Sequence, residues 1–93
     1  MKVELNWKHD DVAQEGFRVE RKLGDSPYSE LIIVSNPHAR GIVDSTVVLG
    51  ATYTYRVLAY NAGGCSAPSM EAVAYVQVAV PNSPTDVVTN VTP

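Results

Sequence analysis

The amino-acid sequence predicts an all-β protein, built as a two-sheet antiparallel β-sandwich with Greek-key connections. The segment 53–60 alternates with the period of a β-strand. One of its faces carries Tyr53, Tyr55, Val57 and Ala59. Turn-forming residues recur about every 8–12 residues along the chain, as in sandwich proteins. No segment shows the apolar period of an amphipathic helix, so we expect no helix.

The first three predicted strands lie before the middle of the chain, at residues 3–8, 17–22 and 28–34. The first strand alternates apolar and polar residues and carries Trp7 as an aromatic anchor. The second strand begins with Phe17 and Val19 after a polar loop. The third strand contains the apolar run 31–34 and follows a turn at 24–27 that holds glycine and proline.

The last three predicted strands are separated by a tight corner and a glycine-rich loop, and lie at residues 42–48, 52–60 and 72–80. Gly50 lies in the corner between the first two of these strands, and the loop 61–69 joins the last two. The inward faces of the strands would form one hydrophobic core. Its predicted members are Trp7, Phe17, Val19, Tyr53, Tyr55, Val57 and Ala59.

Length and charge exclude several functional classes. The chain has 93 residues, a net charge of −3 and a single cysteine, Cys65. This length fits one domain, and one cysteine allows no disulfide within the chain. The few basic residues are scattered, so we expect no nucleic-acid partner. No apolar run is long enough for a membrane span, so we expect no membrane insertion.

No catalytic apparatus is visible in the sequence. His9 is followed directly by Asp10 and Asp11, but three adjacent loop residues rarely converge on one metal ion, so we expect no metal site. The glycine pair 63–64 is not followed by a helix and therefore does not resemble a phosphate-binding loop. We accordingly expect no enzymatic activity and no cofactor.

An ordered set of motifs within residues 3–80 resembles a fibronectin type III domain. Trp7 stands where that family has its core tryptophan, and the segment 16–21 resembles the family's third strand. The segment 47–53 resembles the family's corner, with leucine where proline is usual. The resemblance then makes Tyr53 the corner tyrosine, whose hydroxyl bonds to nearby backbone.

The two ends of the chain depart from the family pattern. Members begin with a proline-containing strand ahead of the tryptophan strand, whereas only six residues precede Trp7, so we expect the first strand to be missing. The segment 84–91 resembles such an opening strand. We therefore assign residues 1–80 to the sandwich. Residues 81–93 are assigned to a linker or tail that resembles the first strand of a following repeat.

A missing first strand would leave the strand 3–8 as an open sheet edge, which is a template for pairing. The tail leaves the sandwich at the end opposite to the one where that strand must start, so we expect it not to fill the edge within its own chain. Donation of the segment 84–91 to a neighbouring chain would instead give a strand-swapped homo-oligomer.

The resemblance implies a spacer or scaffold module of a larger, extracellular or cell-surface multidomain protein. Its loops at one pole, 8–16, 35–41 and 60–68, would contact protein or polysaccharide. The candidate partner-binding residues are His9, Asp10, Asp11, His38, Arg40, Tyr60 and Asn61. Two alternatives stay open. One is an adhesion or receptor-type binding domain that uses these loops, and the other is a self-associating module that uses the tail 84–91.

Overall fold

The computed structural model describes residues 1–9, 13–77 and 90–91, and within these ranges the regular elements are all strands. In chain order they are β1 Val3–Asn6, β2 Gly16–Leu23, β3 Ser29–Val34, β4 Gly41–Asp44, β5 Thr52–Asn61, β6 Gly64–Cys65, β7 Ala72–Tyr75 and β8 Asn90–Val91. The prediction of an all-β protein is confirmed.

The strands form two sheets, as predicted. β1 lies between β4 and β8 in the smaller sheet, and β2 lies between β3 and β5 in the larger sheet. β6 and β7 both pair with the remaining edge of β5 and so extend the larger sheet. Every one of these pairs is antiparallel except β1 with β8, which is parallel.

The hydrophobic core lies between the two sheets and is built by side-chain alternation. On β1, Val3 and Leu5 are fully buried, whereas the side chain of Asn6 is exposed. Each large apolar side chain buried in this way contributes roughly 1.5–3 kcal/mol. Of the predicted core residues, six are buried and the last is partly buried against them: Trp7, Phe17, Val19, Tyr53, Tyr55, Val57 and then Ala59.

The fourth strand is shorter than predicted, because β4 ends at Asp44 and not at Val48. The Asp44 carboxylate accepts a hydrogen bond from the backbone N–H of Thr46 at 3.0 Å, which turns the chain out of the sheet. The backbone N–H of Val48 donates to the hydroxyl of Tyr53 at 2.9 Å, which is the bond expected of a corner tyrosine. Gly50 completes the corner with a φ of 83°, which favours glycine.

Only the first part of the last predicted strand, 72–80, is seen to pair with β5. Its first part is β7, and residues 78–80 lie outside the described residues.

Between β6 and β7, serine side chains accept hydrogen bonds from β5. The hydroxyls of Ser66 and Ser69 accept hydrogen bonds from two backbone N–H groups of β5 at 3.0 and 2.9 Å. These donors of β5 are therefore satisfied without a continuous ladder.

The C-terminal segment pairs with the smaller sheet of its own chain. β8 lies beside β1 in the parallel direction, with Asn90 opposite Glu4 and Val91 opposite Leu5. The prediction that the tail would not meet this edge within its own chain is therefore wrong. It assumed the antiparallel direction, whereas a segment arriving from the opposite pole can approach β1 in the parallel direction. Residues 84–89 of the predicted tail strand lie outside the described residues.

Candidate functional site

The loops at one end of the sandwich are tied together by hydrogen bonds. We call this end the loop pole, and it consists of the described residues within 7–16, 35–41 and 60–68. The side-chain amide of Gln14 donates to the carbonyl of Pro37 at 2.8 Å, which joins the first loop to the second. The amide of Asn61 donates to the carbonyl of Ala13 at 3.2 Å, which joins the third loop to the first. The three loops therefore form one surface.

Arg40 fastens the second loop to the first. Its guanidinium donates to the carbonyl of Ala39 at 2.7 Å, to that of Pro37 at 3.2 Å and to that of His9 at 3.0 Å. The same group lies 5.5 Å from the centre of the Phe17 ring, in a cation–π arrangement. Arg40, predicted as a partner-binding residue, therefore uses most of its donors within the molecule.

A cleft of about 290 Å³ opens between the first and third loops, and we call it the loop cleft. Its wall on the side of the first loop includes His9 and Gln14, and its wall on the other side includes Tyr60, Asn61 and Ser66. Asn61 also accepts a hydrogen bond from the backbone N–H of Gly63 at 2.7 Å, which shapes the turn. The described lining of the cleft is therefore polar and contains no Asp, Glu, Lys or Arg side chain.

Two polar atoms at the loop cleft are buried without a hydrogen-bond partner in the described structure, Nε2 of His9 and Oε1 of Gln14. The His9 ring is held edge-on to Phe17, with ring centres 5.4 Å apart. A buried polar atom that makes no hydrogen bond is destabilising by about 1–3 kcal/mol, so such atoms are uncommon in folded proteins. A ligand in the cleft would pair with these atoms only after the side chains turn, because both atoms are closed to solvent.

Tyr60 is half-buried at the base of the loop cleft, where its ring packs across Gly16. A methyl group at Gly16 would lie 2.2 Å from the carbonyl oxygen of Val34 and 2.7 Å from the Tyr60 hydroxyl. Glycine is therefore required there, because the backbone carbonyl of Val34 and the ring of Tyr60 occupy the space that a side chain would take.

His38 and Arg40, also predicted to bind a partner, do not line this cleft. His38 is exposed on the second loop, where its backbone N–H donates to the side chain of Asn36 at 2.9 Å. Asp10 and Asp11 lie outside the described residues. The binding role of all of these residues stays a prediction.

A second cleft of about 360 Å³ adjoins the first, and we call it the Trp7 groove. Apolar side chains of Trp7, Phe17 and Val57 form one part of its lining. The rest is formed by Lys8, His9, Ala59 and residues Ser66, Ala67 and Ser69 after β6. The indole Nε1 of Trp7 is buried and has no hydrogen-bond partner in the part of the chain that the structure describes. The sequence places Trp7 in the core but gives no sign of this groove.

The opposite end of the sandwich carries a buried charge network that the sequence analysis missed. We call this end the corner pole, formed by residues 44–55 with Arg21 of β2. Asp44 is almost completely buried and accepts hydrogen bonds from Arg21 at 2.8 Å and from the Tyr55 hydroxyl at 2.7 Å. It also accepts from the backbone and the hydroxyl of Thr46, at 3.0 and 2.6 Å. The network joins the two sheets, because Asp44 belongs to the smaller sheet and its partners Arg21 and Tyr55 to the larger.

Proton affinities at the corner pole follow from these contacts. Burial disfavours the charged form of Asp44, but hydrogen bonds from Thr46, Tyr55 and Arg21 outweigh it and hold the pKa of Asp44 below its ordinary value. Burial and the hydrogen bond to Asp44 raise the pKa of Tyr55. Both groups therefore keep one protonation state over the physiological pH range.

A second charge network covers the outer face of the larger sheet. Glu20 is buried there, with its carboxylate oxygens 2.6 Å from Arg56 and 3.0 Å from Arg18. The Arg56 guanidinium lies 3.8 Å from the centre of the Tyr28 ring. The hydroxyl of Tyr28 donates to Glu71, and burial followed by this bond raises the pKa of Tyr28 to about 12. This network covers the sheet and lies outside both clefts.

Two classes of site are not seen in the described ranges. Within residues 1–9, 13–77 and 90–91, no group of three or more His, Cys, Asp or Glu side chains is arranged to hold a metal ion. In the same ranges no helix is long and apolar enough to cross a membrane.

The fold is shared with part of a much longer solved structure. The chain is similar to the twitchin kinase region from C. elegans (Fn31-NL-kin-CRD-Ig26), with a TM-score of 0.60 and 17% identity. The similarity covers 68% of this chain but only 11% of that chain. No family model matches the sequence, and no curated protein matches it. The all-β sandwich is consistent with a fibronectin type III or immunoglobulin-like domain.

Proposed function

We propose that this chain is a non-catalytic module of a larger multidomain protein, where it spaces or presents neighbouring domains and binds a neutral polysaccharide in the loop cleft. The observation that carries the binding proposal is the loop cleft with its two buried, unpaired polar atoms on His9 and Gln14. A plain spacer has no need of such groups, since each one destabilises the fold.

The chemistry of the cleft favours a sugar over a charged protein partner. Its described lining contains amide, imidazole, hydroxyl and aromatic groups, and no Asp, Glu, Lys or Arg side chain. Amides and imidazoles act as donors or acceptors toward hydroxyl groups, which are dense on a polysaccharide. The half-buried ring of Tyr60 adds an apolar surface beside them.

Electrostatics support the absence of catalysis. Among the described residues, the side chains with clearly shifted pKa values are Arg21, Tyr28, Asp44 and Tyr55. Each has a structural partner, and none lines the loop cleft or the Trp7 groove. Active sites are usually the places where such shifts gather.

The location of the protein and its neighbouring domains are proposed from the family resemblance alone. The resemblance implies an extracellular or cell-surface protein in which residues 81–93 lead into a following repeat.

The experiment is a titration followed by the backbone amide signals of the chain in NMR spectra. The probes are a neutral cellohexaose, a neutral xylohexaose and, as a charged comparison, a hexagalacturonate. We expect one of the neutral sugars to shift the signals of residues 13–16 and 59–66 and to leave those of the corner pole unchanged. No shift with any probe at millimolar concentration would leave a spacer or a protein-binding module, and the polysaccharide proposal would be wrong.

A pair of tyrosine variants localises the interaction. Tyr60→Ala removes the ring at the base of the loop cleft, and we expect at least about a tenfold loss of sugar affinity. Tyr75→Ala is the matched control, because Tyr75 is exposed on β7 and does not line the cleft. Equal loss in both variants would contradict the assignment of the site. If Tyr60→Ala does not fold, the NMR signal shifts of the unmodified chain still show whether the sugar binds at the loop cleft.

A further inference from the structure

One side of β1 is only partly covered in the described structure. On the other side β1 pairs with β4 over all four of its residues. On the partly covered side, the described pairing is that of β8 with Glu4 and Leu5. In the described ranges no strand continues along this side toward Lys8. Unpaired backbone groups on a sheet edge can hydrogen-bond to an added strand.

The Trp7 groove continues this edge toward the loop pole. Its lining begins at Trp7 and Lys8, directly after β1, and reaches Phe17 and Val57 of the larger sheet. The buried indole N–H of Trp7 has no acceptor among the described residues. An edge followed by an apolar groove suits an extended peptide, because the edge supplies backbone hydrogen bonds and the groove receives alternate side chains.

We propose that this edge and the Trp7 groove accept residues 84–91 of a second copy of the chain as an antiparallel strand. Within one chain, the last two residues of this segment already pair with the edge, as β8. Within one chain that contact is parallel and two residues long. An antiparallel strand from a second copy would enter from the loop pole and could pair along the whole of residues 3–8.

Side-chain parity and charge fix the register of the added strand. The inward residues of β1 and its continuation are Val3, Leu5 and Trp7, so the residues of the added strand that stand opposite them must also face inward. Placing Val87 opposite Trp7 puts a branched apolar side chain over the groove. The same register sets Asp86 opposite Lys8, an opposite-charge pair, and leaves Val88 facing outward.

The donor and acceptor surfaces are different parts of the molecule, so the contact is heterologous. Each copy can accept one strand and donate another, and association therefore continues into rings or open chains. The contact of β8 with β1 in the same chain competes with it, because a tethered segment has a high effective concentration. Association should accordingly appear only at high protein concentration.

The test is the solution mass of the full chain, measured by sedimentation from about 20 μM to about 2 mM, the upper limit exceeding typical millimolar effective concentrations. We expect the average mass to rise beyond that of a dimer. Val87→Lys should raise the concentration needed for association at least about tenfold, because it places a charge over the groove. Val88→Lys is the matched control and should change it little. A monomer throughout, or equal effects of the two substitutions, would overturn the proposal.

Mixing two variants tests the direction of the contact. The Val87→Lys chain is a poor donor with an intact acceptor edge. The Lys8→Asp chain is a poor acceptor, because its edge would face Asp86 of the incoming strand. A mixture of the two should stop at one-to-one pairs, in which the Lys8→Asp chain donates its strand. Growth of the mixture beyond pairs, or no pairing at all, would contradict strand donation in the proposed register.

Discussion

The two poles of the sandwich treat their polar groups in opposite ways. At the corner pole, Asp44 accepts four hydrogen bonds from Arg21, Tyr55 and Thr46, and both carboxylate oxygens are used. At the loop pole, side-chain atoms of His9 and Gln14 are buried without a partner in the described structure. A fully paired network holds the sheets together, whereas buried groups without a partner weaken the fold and retain unused hydrogen-bonding capacity.

This difference separates the part of the molecule that stabilises the fold from the part proposed to bind. Breaking a buried network leaves charges and donors unsatisfied, so the corner pole should respond strongly to substitution. Removing an atom that has no partner breaks no hydrogen bond. Substitution of such an atom at the loop pole should therefore change the stability little. The comparison can therefore be tested by the stability of single variants.

The largest effect is expected from Asp44→Asn. The amide keeps the shape of the side chain but removes the charge that faces Arg21 and gives the Tyr55 hydroxyl a poorer acceptor. We expect the free energy of unfolding to fall by about 3–5 kcal/mol, the range for breaking a buried ion pair. Urea denaturation at pH 7 measures it. Asp25→Asn, at the exposed turn after β2, is the control and should change stability by less than about 0.5 kcal/mol. Similar losses in both variants would argue against the network.

The stability from Asp44 should also depend on pH in a defined direction. The pKa of Asp44 is held below its ordinary value of 3.8, so its contribution is complete above that pH. The contribution is lost as pH falls through the pKa of the folded state. The stability difference between the unmodified chain and Asp44→Asn should therefore be constant from pH 5 to pH 7 and should shrink below about pH 3.8. A difference that grew on acidification would show that the sign is wrong.

A moderate effect is expected at the corner tyrosine. Tyr53→Phe removes the hydroxyl that accepts a hydrogen bond from the backbone N–H of Val48. We expect a loss of about 1 kcal/mol in unfolding free energy, the usual contribution of one hydrogen bond. The loss should be smaller than for Asp44→Asn, because only one bond is broken and Val48 is exposed enough for water to replace it. Thermal denaturation of the two variants side by side checks this order.

The smallest effect is expected at the loop pole. His9→Phe keeps an aromatic ring against Phe17 and removes the buried nitrogen that has no partner in the described structure. We expect the stability to stay within about 0.5 kcal/mol or to rise, because no hydrogen bond of the side chain is lost. The same variant should bind the neutral sugar less well. A large loss of stability would show that His9 is a structural residue.

Local patterns predicted the parts of the fold that depend on neighbouring residues. The alternation of the segment 53–60 gives the buried face of β5, and the corner motif gives the bond between Tyr53 and Val48. The Asp44 network could not be predicted in this way, because Asp44 and Arg21 are 23 positions apart and lie on different sheets. Their meeting depends on the register of strands in both sheets, which no local pattern contains.

The candidate site was harder to predict for the same reason. The three loops were identified from turn residues. The hydrogen bonds by which Arg40 and Asn61 join one loop to another depend on where the other loops lie. The Trp7 groove depends on how far the smaller sheet covers the larger one. The pairing of β8 with β1 was not predicted, because the tail was expected not to fill this edge within its own chain, and the observed contact runs in the parallel direction.

Cys65 places a thiol at the loop cleft. It is exposed, it lines the loop cleft, and it is the single cysteine in the sequence. A thiol without a partner in its own chain can form a disulfide only with another molecule. A molecule joined to Cys65 by a disulfide would therefore lie at the cleft, and reduction of that disulfide would release it.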